Sequence, residues 1–309
     1  MPSHLRSLER SNKELTAGQA KTPTSPPKPS PAATPRSTTP PGITIKPRNQ
    51  SHDITAALAT DWLDNDTFLT AFFNALSISF PAGEKFFIDS VRIFKDDVTD
   101  PVLLEQIAAF CGQEGFHRRE HQRYNEALCA ARGYDLEKLE MPIKKRINTV
   151  QTRFSAEMNL AGTVAIEHLT AVMAHQLLKN DSIMQNAHPV MAQLWRWHSA
   201  EEMEHKAVAF DVYQTIGGNL KTQHRAMRRA TFFFGLEIFR CFCYMLKKEG
   251  VLFSLKTWRN GLKALLGKHG FLNGTKALYK EFFQPGFHPW QQDTTALLDN
   301  WSAQTAIHS

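Results

Sequence analysis

A chain of 309 residues that is 42% apolar can bury one large core or two small ones, and its formal net charge of +6 is unevenly carried. Residues 1–50 hold eight Lys/Arg against Glu9 and Glu14, whereas residues 51–309 balance at 28 basic and 28 acidic side chains. The basic pI therefore belongs to the N-terminal stretch, and nucleic acid is excluded from the expected partners of the body.

That stretch also contains ten of the sixteen prolines, centred on KTPTSPPKPSPAATPRSTTPP, and reads as a disordered leader over 1–50. No apolar segment of a secretory signal precedes the body. Cys111, Cys129, Cys241 and Cys243 match no zinc spacing, so free thiols and a cytoplasmic location are expected.

From His52 onward the apolar period is helical. Asp66–Ser79 is amphipathic, and Phe80-Pro81 is expected to break it and start a second helix. Asp100-Pro101 opens a third that runs to Gly133. Lys138–Lys179 follows, with breaks expected near Pro142 and Phe154. A long helix is expected from Pro189 to Ile216, ended by Gly217-Gly218, and two more cover Leu220–Lys248 and Leu252–Gly267. A late motif, Gly286-Phe-His-Pro-Trp290, precedes a polar tail. The fold class is all-α: a bundle over 51–218, a C-terminal helical extension over 219–290 and a tail over 291–309.

The chemistry concentrates in WHSAEEMEHKAVAFDVY, residues 197–213. His198, Glu202 and His205, spaced by four and three, share one helical face among apolar neighbours. Burying a carboxylate with two imidazoles is costly unless a metal ion offsets the desolvation. Only His117 and His205 of the thirteen histidines have a glutamate three residues earlier, Glu114 and Glu202. Each of those helices is preceded by one with a glutamate in apolar surroundings, Glu84 and Glu167. The order reads as two copies of one helix pair. One Glu from each of two helices and Glu-x-x-His from each of two others is the pattern that holds two metals in a bundle. His121 lies on nearly the same face as Glu114 and is a candidate ligand or support. Asp89 and Asp211 are candidates to orient ligand histidines. Glu201 and Glu204 are expected beside the ligand face, and His168 and His175 in structural roles.

The four motifs resemble the ferritin-like di-iron carboxylate proteins over roughly residues 66–216. The H-x-x-x-E-x-x-H run from His198 resembles the di-iron arylamine N-oxygenases, which implies that His198 gives the second iron an extra imidazole. More locally, FPAGEKFF, QEGFHRREHQRYNE, EHLTA and WHSAEEMEHKAVAFDVY are similar to a bacterial family called predicted metal-dependent hydrolases, a match extending over most of 52–290. The resemblance and the ligand pattern imply two metal ions, expected as iron with manganese or zinc as alternatives. The activity expected is O₂ activation to oxidise an organic, apolar substrate. Hydrolysis by metal-bound hydroxide is the alternative, and non-enzymatic iron binding a third. An oxygenase would need an electron-donor protein, since no dinucleotide fingerprint is present. The aromatic run Thr231–Leu246 is expected to pack on the bundle, with a homodimer face or a membrane-surface contact as its other candidate roles.

Overall fold

A computed structural model describes residues 37–307, with side chains placed to residue 305. Of the leader expected over 1–50, residues 1–36 lie outside the described residues. Among those described the protein is all-α, with helices joined by short loops and one isolated bridge between Leu63 and Ala187.

The longer helices have chemically marked starts. After a single turn α1 (Thr55–Leu58), helix α2 (Thr67–Arg92) begins where the Asp66 carboxylate accepts from the Leu69 N–H. Helix α3 (Pro101–Arg132) begins with Asp100 accepting from Val102 and Pro101 in its first turn, and Gly133 ends it at φ 64°, where a side chain would be strained. Helices α4 (Leu136–Arg153) and α5 (Ala156–Lys179) are separated at Phe154-Ser155, as expected. Then come α6 (Pro189–His205), α7 (Val208–Thr215), α8 (Leu220–Lys248), α9 (Leu255–Leu266), α10 (Thr275–Glu281) and α11 (Thr295–Ile307).

Several boundaries differ from expectation, each for an identifiable reason. Helix α2 runs through Pro81 without a break. Proline lacks the N–H that would bond the carbonyl four residues back, and here the Asn125 side-chain amide donates to the Ser77 carbonyl instead. Pro142 likewise sits inside α4, and the Arg240 guanidinium donates to the Lys138 carbonyl. The long helix expected over 189–216 is two, because the chain turns at Lys206-Ala207; the Lys206 ammonium is drawn to the Gln292 carbonyl and Thr294 Oγ1. The tail expected at 291–309 is helical as α11, and its Leu298 and Trp301 bury against α5 and α6. Residues 37–50, assigned to the leader, lie on the bundle: Ile45 is buried and Arg48 pairs with Glu201 and Glu204.

Helices α2, α3, α5 and α6–α7 form the bundle, with α8 laid across α2 and α5 and α4 against α2. Two apolar clusters fill its length. One gathers Phe68, Phe73, Tyr124, Leu128, Leu194 and Trp195; the other gathers Phe87, Leu103, Phe110, Leu160, Val208 and Tyr213. On every bundle helix the crossing from one cluster to the other falls at a glutamate. No helix among the described residues is long and apolar enough to cross a membrane.

Candidate metal centre

Glu84, Glu114, His117, Glu167, Glu202 and His205 all project into this layer between the clusters, and none is more than 3% exposed. Glu84 comes from α2, Glu114 and His117 from α3, Glu167 from α5, Glu202 and His205 from α6. Their donor atoms fall into overlapping groups within 4.8 Å, notably Glu84–Glu114–His117 at one end and Glu114–Glu167–His205 at the other. Glu114 Oε1 is 3.2 Å from His205 Nε2 and 4.0 Å from His117 Nδ1. Glu202 Oε1 is 3.7 Å from both of those nitrogens. Glu114 and Glu202 are thus central, and Glu84 and Glu167 terminal.

This layer cannot be satisfied by protein alone. Both carboxylate oxygens of Glu84, Glu114 and Glu167, with Glu202 Oε2 and His205 Nε2, are buried without a hydrogen-bond partner. Such orphans cost free energy wherever they occur, and here they converge on one another. Burial, and then the neighbouring carboxylates, push Glu84, Glu114 and Glu167 well above the usual carboxylate range. Glu202 goes the other way. Burial opposes its ionisation, but the His198 hydrogen bond and the surrounding imidazoles hold it down to about 2. Burial and His198 depress His117, favouring the neutral ring that a metal requires. Carboxylate oxygens and imidazole nitrogens are the donor types for divalent transition metals, so the residues fit two such ions.

Each imidazole has one side chain behind it, in a reciprocal arrangement that the sequence did not assign. His205 Nδ1 bonds Gln113 Oε1 at 2.8 Å, and His117 Nε2 lies 3.1 Å from Glu201 Oε2. Gln113 and Glu201 each stand immediately before the glutamate of a Glu-x-x-His motif, and each reaches the histidine of the other motif. That shared position is a signal the sequence did contain. Arg48 closes the arrangement behind it, donating to Glu201 and to both oxygens of Glu204, while Glu204 accepts from Gln113 Nε2 at 2.7 Å. Glu201 and Glu204 are therefore buried supports, and nothing local marked Arg48 as their partner.

His198 is buried, its Nε2 3.1 Å from Glu202 Oε1 and its ring stacked on His117 at 4.2 Å. It groups with Glu84 and His117, so the extra imidazole sits at that end and not, as expected, at the Glu167–His205 end. One turn of helix separates it from Glu202, about 6 Å along the axis, which carries it past the central pair. His121, a candidate ligand or support, is fully buried, with Nε2 2.7 Å from His198 Nδ1. Its Nδ1 meets Ser77 Oγ, which donates to Asn125 Oδ1. The same Asn125 compensates Pro81, so the helix interruption and the histidine hydrogen-bond chain share one side chain.

Asp89 and Asp211 do not orient ligand histidines. Asp89 pairs with Lys85 on the surface, because its position on α2 faces away from the bundle. Asp211 lies beyond the turn after His205 and bonds His288 and Thr38, clasping the late Gly-Phe-His-Pro-Trp motif and the N-terminal segment. His168 Nε2 donates to the Leu278 carbonyl at 3.1 Å.

A family model described as a predicted metal-dependent hydrolase matches residues 46–293. No curated protein matches the chain, and no solved structure does.

Proposed function

The chain belongs to the predicted metal-dependent hydrolase family, and we propose that it is a two-metal enzyme whose cage is Glu84, Glu114, His117, Glu167, Glu202 and His205, with His198 at the Glu84–His117 end. The observation that carries this is the convergence of partnerless, buried carboxylate and imidazole atoms from four helices. Glu114 and Glu202, at the centre of the layer, would help to hold both ions, while Glu84 and Glu167 would each help to hold one. Gln113 and Glu201 fix the ring orientations, leaving His205 Nε2 and His117 Nδ1 as the donors.

Hydrolysis is the reading that the family supports. Two divalent ions held there would polarise a substrate oxygen and lower the pKa of a bound water to about 7. The protein contributes orientation, a water-poor surrounding and the His198–His121–Ser77–Asn125 hydrogen-bond chain, which fixes the His198 ring beside Glu202.

A second reading, dioxygen chemistry at two irons, is favoured by one observation. The space beside His198 and Glu202 is about 20 Å³, walled by Phe73, Leu76, Phe80, Met173 and Trp195. That admits one small molecule, which suits O₂ better than an ester together with water. The resemblance to di-iron carboxylate proteins supports it too, and an electron-donor protein would then be needed.

Metal analysis of the purified protein, followed by separate loading with Zn(II), Mn(II) and Fe(II), tests both. Two ions per chain with cleavage of aryl esters or phosphoesters under Zn(II) or Mn(II) supports hydrolysis. Two irons that consume O₂ and develop a visible absorption, with no hydrolysis under any metal, would replace it by the second reading. No bound metal under any loading rejects both.

A further inference from the structure

The bundle is not filled beneath α8. Two apolar cavities lie there, about 460 Å³ under its N-terminal half and about 630 Å³ under its C-terminal half, and Phe234 lines both. Their floor is α2 and α5, the helices that carry Glu84 and Glu167. The larger cavity shares Met173, an adaptable side chain, with the small space beside His198 and Glu202. Volumes of this size and apolar character suit a small apolar ligand.

The rim of the larger cavity includes Phe239 and Leu262, both exposed, and the apolar surface continues outward from it. Phe232 and Leu236 extend the Phe239 stripe along α8, and Phe253 and Leu255, before and at the start of α9, are 90% and 86% exposed. On α9 Leu255, Leu262 and Leu266 form one exposed stripe, and Lys256, Arg259 and Lys263 form the stripe beside it. Between residues 247 and 268 the six cations Lys247, Lys248, Lys256, Arg259, Lys263 and Lys268 are all exposed. The single carboxylate in that span, Glu249, is already paired with Arg132 at 3.3 Å.

This combination selects its occupant. A second copy of the same face would set six cations against six, because a two-fold contact is self-complementary. An anionic lipid surface meets both features: apolar side chains enter the acyl boundary while the flanking lysines and arginines meet phosphates. We propose that the α8–α9 face docks on an anionic lipid bilayer and that the cavities beneath α8 receive a long apolar chain from it. Docking stands on its own; naming that chain as substrate rests on the two-metal reading above.

The test is sedimentation of the full chain, metal-free and metal-loaded, with vesicles of phosphatidylcholine alone or with about a third phosphatidylglycerol. Binding to the anionic vesicles is expected at least tenfold tighter, and weakened by salt. The double variant Phe253→Ser/Leu255→Ser is expected to lose tenfold or more with unchanged circular dichroism and Tm, since both side chains already face water. Lys256→Glu/Lys263→Glu is expected to remove the preference for anionic lipid. In the metal-free protein a fluorescent fatty acid is expected to bind, and Leu169→Trp, on the cavity floor, to expel it while vesicle binding persists. Docking is overturned by absence of binding, by equal binding to neutral and anionic vesicles, or by a dimer that Phe253→Ser/Leu255→Ser dissociates. Fatty-acid binding unaffected by Leu169→Trp overturns the cavity assignment. Vesicle binding that fails in protein holding two metals sinks docking alone. Vesicle binding by protein that takes up no metal under any loading sinks the function reading alone.

Discussion

The two halves of the centre repeat one order of Glu and Glu-x-x-His and differ in their supports. In the α2–α3 half, Gln113 precedes Glu114-x-x-His117, and α3 continues four residues on to His121 and beyond. In the α5–α6 half, Glu201 precedes Glu202-x-x-His205, and the helix stops at that histidine. Because each preceding residue serves the opposite histidine, His117 faces a carboxylate and His205 an amide. A carboxylate raises the basicity of the ring it holds, and an amide does so less. The Glu84–His117 end also has His198 beside it. The lesson is that the repeated pattern builds the layer, and its departures from symmetry make the two ends of the proposed cage inequivalent.

Breaking the central pair should have the largest effect. Glu114→Ala or Glu202→Ala is expected to abolish binding of both ions, whereas Glu84→Ala or Glu167→Ala should leave one, all read by metal analysis of folded protein. Equal losses in all four variants would mean that the central and terminal roles are wrongly divided.

Next come the residues that make the halves differ. Gln113→Ala and Glu201→Ala should each weaken metal binding by about 10–100-fold. Glu201→Gln should recover most of that loss in affinity while making the two sites more alike in competitive titration. If Glu201→Gln behaves as Glu201→Ala does, charge rather than orientation is what Glu201 supplies.

Arg48 supports both halves through Glu201 and Glu204, and its removal leaves two buried carboxylates unpaired. Arg48→Ala is expected to lower stability by about 2 kcal/mol in denaturant unfolding, less than a fully buried pair because its own side chain is 23% exposed. A change within error would show that residues 37–50 do not brace the centre.

The smallest expected effect is a pH dependence of the metal-free protein. Glu84, Glu114 and Glu167 hold protons in the folded state well above the ordinary value of 4.5 at which they lose them when unfolded. As pH rises past that value the unfolded state binds fewer protons than the folded one, so these groups' contribution falls. The metal-free Tm should therefore drop by a few degrees between pH 5.5 and 8, and metal should reverse the trend. A metal-free Tm that climbs over this range would show that the carboxylates are not crowded together.

The sequence by itself determined the helices, the layer and the ligand types. Apolar period, Asp caps and terminal glycines are local properties, and Glu-x-x-His at three-residue spacing places two donors on one face wherever the helix goes. What only the tertiary structure decided involves a second element. Pro81 reads as a breaker until Asn125, 44 residues later, satisfies the carbonyl it frees. The turn at Lys206-Ala207 divides α6 from α7 where the Lys206 ammonium reaches Gln292 and Thr294, far along the chain. The partners of Gln113, Glu201 and Arg48, the end at which His198 sits, and the cavities under α8 depend on distances between helices, which periodicity within one helix does not encode.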